Sequence, residues 1–206
     1  MQLAVLAVLL TTGLRAQDIP ANKAQQIRDA CPSQARVSPK KARRALSFNT
    51  PSHVEKDPHR GYCSPYGAAA MKALGEKTKA FHPVVSSNQE LLMPENLKQF
   101  DVLIFNNTAG EWATPGDELM RKRGQTDVQA VETVLRKGIL DWVKAGGGVV
   151  AYHYSAGAIR TWPEFYELLG GRCGGHAWNR DMGFQIEEPD HPLVAAFDGK
   201  GFRQRE

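Results

Sequence analysis

Apolar residues fall in short blocks set apart by polar, glycine- and proline-bearing stretches, and the blocks alternate between two periods. Four blocks read as strands. Arg44-Ala-Leu-Ser-Phe-Asn49 is short, and Phe81 to Val85 contains Pro83, which places it at a sheet edge because proline has no amide for a ladder. Asp101-Val-Leu-Ile-Phe-Asn106 and Gly148 to Tyr152 are continuous apolar runs, the pattern of strands buried on both faces of a parallel sheet. A last strand is expected around Phe184-Gln-Ile186.

Between them lie helical periods. Ser64-Pro65 opens one, with Ser64 as the expected cap and Ala68, Met71 and Leu74 turned to the sheet. Thr126-Asp127 begins the strongest, in which Val128, Val131, Leu135, Ile139 and Trp142 recur on one face, and Gly146 ends it in a left-handed cap. Thr161-Trp-Pro-Glu164 has the spacing of a capping box ahead of Phe165, Leu168 and Leu169, and Gly170-Gly171 closes that helix. Strands alternating with helices predict a three-layer α/β/α domain with a mostly parallel sheet.

The ends of the chain change this picture. Residues 1–17 hold an apolar run of signal-peptide length, too short to span a bilayer and ending in small residues near Ala16. Export to a periplasmic or extracellular space is the expectation, with no stable membrane insertion after cleavage. Residues 18–43 read as a basic polar linker with one short amphipathic possibility around Ala24 to Ala30, and residues 44–206 as the domain. The net charge of +4 over 206 residues comes partly from Lys40-Lys41-Ala42-Arg43-Arg44 and Arg121-Lys122-Arg123. Neither cluster is interleaved with aromatics, so solvated segments are expected and no nucleic-acid partner. Cys31, Cys63 and Cys173 lack metal-ligand spacing, and export would permit one disulfide among them.

Ligands of open α/β sheets bind beyond the carboxyl ends of the strands. The loops after Asn49 and Asn106 and the turn at His153 satisfy that position, and they hold most of the reactive side chains. His153 is a candidate general acid/base, because imidazole titrates near neutrality; a hydrogen-bonded structural histidine is the alternative. Tyr154 and Ser155 follow it in the turn. Ser155 reads better as a turn or cap hydroxyl than as a nucleophile, since no acidic orienter accompanies it. Asn107 and Thr108 either bond sugar hydroxyls or close their loop. His176 and Trp178 pair a polar contact with a flat apolar ring on which a sugar can stack, although a core Trp is an even alternative. No cofactor is expected; a transition metal held by His153, His176 and a first-loop histidine (His53 or His59) is a minor alternative.

The run GGGVVAYHYSAGAIRTWPEFYELLGGRCGGHAW, with its glycine-rich helix exit, strand ending in His, Trp-Pro-Glu and Gly175-His176-Ala177-Trp178, resembles the ThuA-like (trehalose utilisation) family. Glu95 to Thr108 and Asp190-His191-Pro192 extend the resemblance, which covers roughly Ala45 onward. It implies a flavodoxin-like sheet of the class I glutamine amidotransferase type, but with His153 where an amidotransferase has its cysteine, so glutaminase activity is not expected. Family members usually carry Gly-Phe-x-His where this chain has His59-Arg60-Gly61-Tyr62-Cys63, so the resemblance does not fix the register of a first-loop histidine. The family domain also continues with further strands, and the domain is expected to be incomplete at its carboxyl end.

The resemblance implies carbohydrate metabolism: a sugar-processing protein acting on trehalose-type disaccharides or their keto derivatives. In that reading His153 is the acid/base, His176 assists, and Asn107, Thr108, Tyr154, Ser155 and Trp178 position the sugar. The alternative is a non-catalytic carbohydrate-binding or interaction module on an amidotransferase-like scaffold. A small-molecule carbohydrate is the expected partner in both, with homo-oligomerisation open.

Overall fold

The computed structural model describes residues 19–54, 63–175 and 180–205. These fall into two compact units divided between Cys173 and Gly174. The first unit carries a four-stranded sheet ordered β2-β1-β3-β4, from β1 (Arg44–Phe48), β2 (His82–Ser86), β3 (Val102–Asn106) and β4 (Gly148–Tyr152). All three pairings are parallel, as expected for the α/β class. Pro83 sits on the edge strand β2, where its missing amide leaves no ladder bond unmade.

Around the sheet run α1 (Ala21–Ala30), α2 (Ser64–Thr78), α3 (Pro94–Leu97), α4 (Asp117–Arg123), α5 (Val128–Lys144) and α6 (Pro163–Leu169). Register pairs Leu46 with Leu103 and Val149, and Phe48 with Phe105 and Ala151, so these side chains share one face. On that face Val131, Leu135 and Ile139 of α5 pack with Phe165 of α6 and with Trp112, which touches Phe48, Phe105, Trp162 and Phe165 ring to ring. The opposite face takes α2, whose small residues Ala68, Ala73 and Gly75 are buried as it packs on β2 and β3.

Several local expectations are corrected. Strand β4 was expected to be buried on both faces, but it lies at the edge of the described sheet, and Val150 is 48% exposed. Ser64 is already the first helical residue, so Cys63 occupies the cap position and no side chain caps α2. The capping box at α6 does not form. Pro163 takes the first helical position and makes Trp162 the cap, while the Thr161 hydroxyl donates to Glu111 Oε2 (2.6 Å) and accepts from Arg136 Nη2 (2.8 Å). The amphipathic possibility around Ala24 to Ala30 falls within α1, which packs on α2 and whose end receives Lys77 at the Arg28 and Cys31 carbonyls. Arg121 to Arg123 close α4, and Arg123 lies between Glu90 and Glu95. All three cysteines are free thiols.

The second unit is built on β5 (Asp181–Phe184) paired antiparallel with β6 (Phe202–Arg205), so the strand expected around Phe184 to Ile186 ends at Phe184 instead of beginning there. Phe202 stacks on Phe184 at 4.7 Å and on Phe197 at 4.9 Å. His191 caps the 3₁₀ turn Pro192–Phe197 by accepting from the Leu193 amide. Residues 1–17, His59, His176 and Trp178 lie outside the described residues.

One ion cluster ties the entry of β1 to that of β3. Asp101 accepts from the Arg44 amide (2.9 Å) and pairs with Lys41 (2.9 Å) and Arg43 (3.0 Å). The amide first, then Lys41 and Arg43, hold its carboxyl down at about 2, against an ordinary 3.8. A depressed carboxylate stabilises the fold above its unfolded value and loses that contribution as pH falls from about 4 to about 2. With both cations substantially exposed, screening leaves about 1–2 kcal/mol. Urea titrations from pH 5 to pH 2 are expected to show this loss in the native chain and a flatter profile in Asp101→Asn.

Candidate functional site

The carboxyl ends of β1, β3 and β4 lie side by side, because parallel pairing sets Phe48 against Phe105 and Asn106 against Tyr152. Polar side chains replace apolar ones at this level. Asn106, fully buried, donates from Nδ2 to Asn49 Oδ1 (2.6 Å) and to the Ser64 carbonyl (2.9 Å), and accepts a short hydrogen bond from the Tyr152 hydroxyl. Burial, with a smaller contribution from Cys63, pushes Tyr152 up to about 12, so its hydroxyl stays protonated and donates throughout the neutral range. Helix α2 comes close over this group at Gly67, where a Cβ would stand 2.2 Å from Asn106 Oδ1 and 2.5 Å from the Tyr152 hydroxyl.

One residue further along β3 and β4 the backbone turns left-handed in both. Asn107 has φ 49° and His153 φ 55°. Asparagine and histidine enter that region more readily than most side chains, and the surrounding bonds hold each of them there. Asn107 is 2% exposed, and its Oδ1 lies 2.5 Å from His153 Nδ1 and accepts from the Tyr154 amide at 3.2 Å. Its Nδ2 donates to Cys63 Sγ at 2.9 Å. The imidazole itself is exposed.

The hydroxyls nearby have structural duties. Ser155 is fully buried; its Oγ donates to the Phe105 carbonyl (3.0 Å) and accepts from the Thr108 amide (2.9 Å) and hydroxyl (3.1 Å). Thr50 Oγ1 accepts from the Ala109 amide at 2.9 Å, which fastens the loop after β1 to the loop after β3. The structure therefore brings His153, Tyr154, Asn107, Thr108 and Ser155 together, with the Thr108 and Ser155 oxygens inside the turn and the imidazole at its surface. His53 is engaged elsewhere, its Nε2 2.9 Å from the Thr114 carbonyl and its ring against Gly116. Among the described residues no three His, Cys, Asp or Glu side chains form a metal-binding group.

Two features of this site escape a reading of the sequence. Cys63 stands 44 residues before Asn107, and only the fold brings its sulfur to that amide. The Asn49-Asn106-Tyr152 network had one visible signal, a strand that switches from apolar to Asn at its last residue. A shallow groove of about 420 Å³ also exists between α3 and α5, lined by Pro94, Val134 and Trp142 among others, but it shares no residue with the turn.

A parallel sheet flanked by helices, with an exposed residue in left-handed backbone just after β4, defines an α/β protein of the class whose ligands bind beyond the carboxyl ends of the strands. A family model described as ThuA, trehalose utilisation, matches residues 55–206, and the chain belongs to that family. A solved structure with the same fold is a ThuA-like protein of Bacteroides uniformis, 18% identical, with a TM-score of 0.52 over 84% of this chain. The chain spans 62% of that protein's length. No curated protein matches the chain.

Proposed function

We propose that the chain acts on trehalose-type disaccharides or their keto derivatives through acid/base chemistry at His153. The observation that carries this reading is the exposed imidazole held in left-handed backbone at the carboxyl end of the sheet, with one nitrogen tied to a buried amide. Backbone strain of this kind persists only where the surroundings over-determine it, and it concentrates at sites that bind or react. An imidazole can take a proton from carbon beside a carbonyl, or hand one to a departing oxygen, near neutral pH. The family's description supplies the substrate class. In an amidotransferase the corresponding turn offers a thiolate for acyl transfer; here it offers a proton carrier, which suits a keto-sugar better than an amide.

The test is a panel of disaccharides and their keto derivatives, with binding followed by calorimetry and conversion by proton NMR. Conversion of at least one keto-sugar or disaccharide is the expected result. Binding without conversion would instead identify a carbohydrate-binding module, and the absence of both would remove the sugar reading.

A further inference from the structure

We infer that Asn107 is a positioning residue that fixes His153 as the Nδ1–H tautomer and leaves the Nε2 lone pair as the proton acceptor of the site. The assignment follows from one backbone group. The Tyr154 amide can only donate, and it donates to the Asn107 side-chain atom 3.2 Å away, so that atom is the carbonyl oxygen. The opposite orientation would set two donors against each other. The same Oδ1 lies 2.5 Å from His153 Nδ1; an oxygen facing a ring nitrogen at that distance accepts, so Nδ1 carries the hydrogen. In the neutral ring the lone pair then belongs to Nε2.

The rest of the side chain is consistent with this duty. Asn107 Nδ2 points at Cys63 Sγ, which serves as its acceptor at 2.9 Å, so both ends of the amide are engaged by the protein. A sugar-binding amide would present at least one end to solvent, yet Asn107 is 2% exposed. Its φ of 49° directs the side chain along the sheet end toward β4, in a backbone region that asparagine enters more readily than other polar residues. The arrangement has the logic of a histidine whose tautomer is set by the partner of its other nitrogen.

This inference rests on the proposed acid/base role for its purpose but can be tested without a substrate. Nitrogen-15 NMR separates the two neutral tautomers of a labelled histidine by the shifts of its ring nitrogens. In the native chain above pH 8, the His153 signals, assigned by their loss in His153→Ala, are expected in the Nδ1–H pattern. Asn107→Ala is expected to move them to the mixed pattern of a free imidazole, while Asn107→Asp, which keeps an oxygen acceptor, restores the Nδ1–H pattern. An Nε2–H pattern in the native chain, or no change in a folded Asn107→Ala, would overturn the assignment. If Asn107→Ala fails to fold, the native spectrum alone still decides. Failure to find any sugar turnover would leave this spectroscopic result intact, so the two readings fall separately.

Discussion

His153→Ala is expected to lower conversion of the responsive sugar by about 10²–10⁴-fold, the usual contribution of a positioned proton carrier. Binding of the same sugar, measured by calorimetry, should change by less than about threefold, because the ring stands at the surface and the bulk of a sugar's contacts would lie with other groups. The fold should be little affected. The imidazole is exposed, and its bond to Asn107 contributes about 1 kcal/mol net. Loss of turnover with retained binding and a melting temperature within a few degrees is the pattern of a missing acid/base group. Turnover within tenfold of the native value would show that the chemistry lies elsewhere.

Gly67→Ala is expected to destabilise the fold by about 3–5 kcal/mol. In an unconstrained helix the same change stabilises by up to about 1 kcal/mol, so the sign alone is diagnostic. The added carbon would stand 2.2 Å from Asn106 Oδ1, 2.5 Å from the Tyr152 hydroxyl and 3.1 Å from Asn106 Cγ. None of these atoms is the free end of a flexible side chain. Asn106 is fully buried and bonded to Asn49, Ser64 and Tyr152, so either α2 lifts from the sheet or those bonds break. Overpacking and the exposed cost of unpaired buried amides then add. Urea denaturation monitored by circular dichroism would measure the loss; stability equal to the native chain's would mean that α2 is not seated against this network.

How much of this was visible in the sequence depends on the range of the interactions involved. The strands, the edge position of Pro83 and the buried face of α5 at Val131, Leu135 and Ile139 follow from local periodicity, although Val128, expected on that face, is exposed, and Asp127 caps α5 by accepting from the Ala130 amide as its position suggests. Features that need a distant partner were not visible. Thr161 and Glu164 have the spacing of a capping box, but Arg136 and Glu111 claim the threonine hydroxyl from 25 and 50 residues away. The Gly148 to Tyr152 run looks buried because its composition is apolar, while its exposure follows from its place at the edge of the described sheet. At the site the candidate residues could be named, but the division of labour among them could not. Only coordinates distinguish an amide that faces solvent from one that faces a ring nitrogen, and only they bring Cys63 to Asn107.

The paired left-handed residues at 107 and 153 have an evolutionary consequence. A side chain at such a position costs about 1–2 kcal/mol relative to glycine, less for asparagine, and natural proteins live close to the threshold below which they fail. A lineage that had ceased to use the imidazole could regain that margin by drifting to glycine at position 153. Under the proposed function, descendants still selected for the chemistry would keep the histidine, and its replacement by glycine would mark a turn that has become a relic.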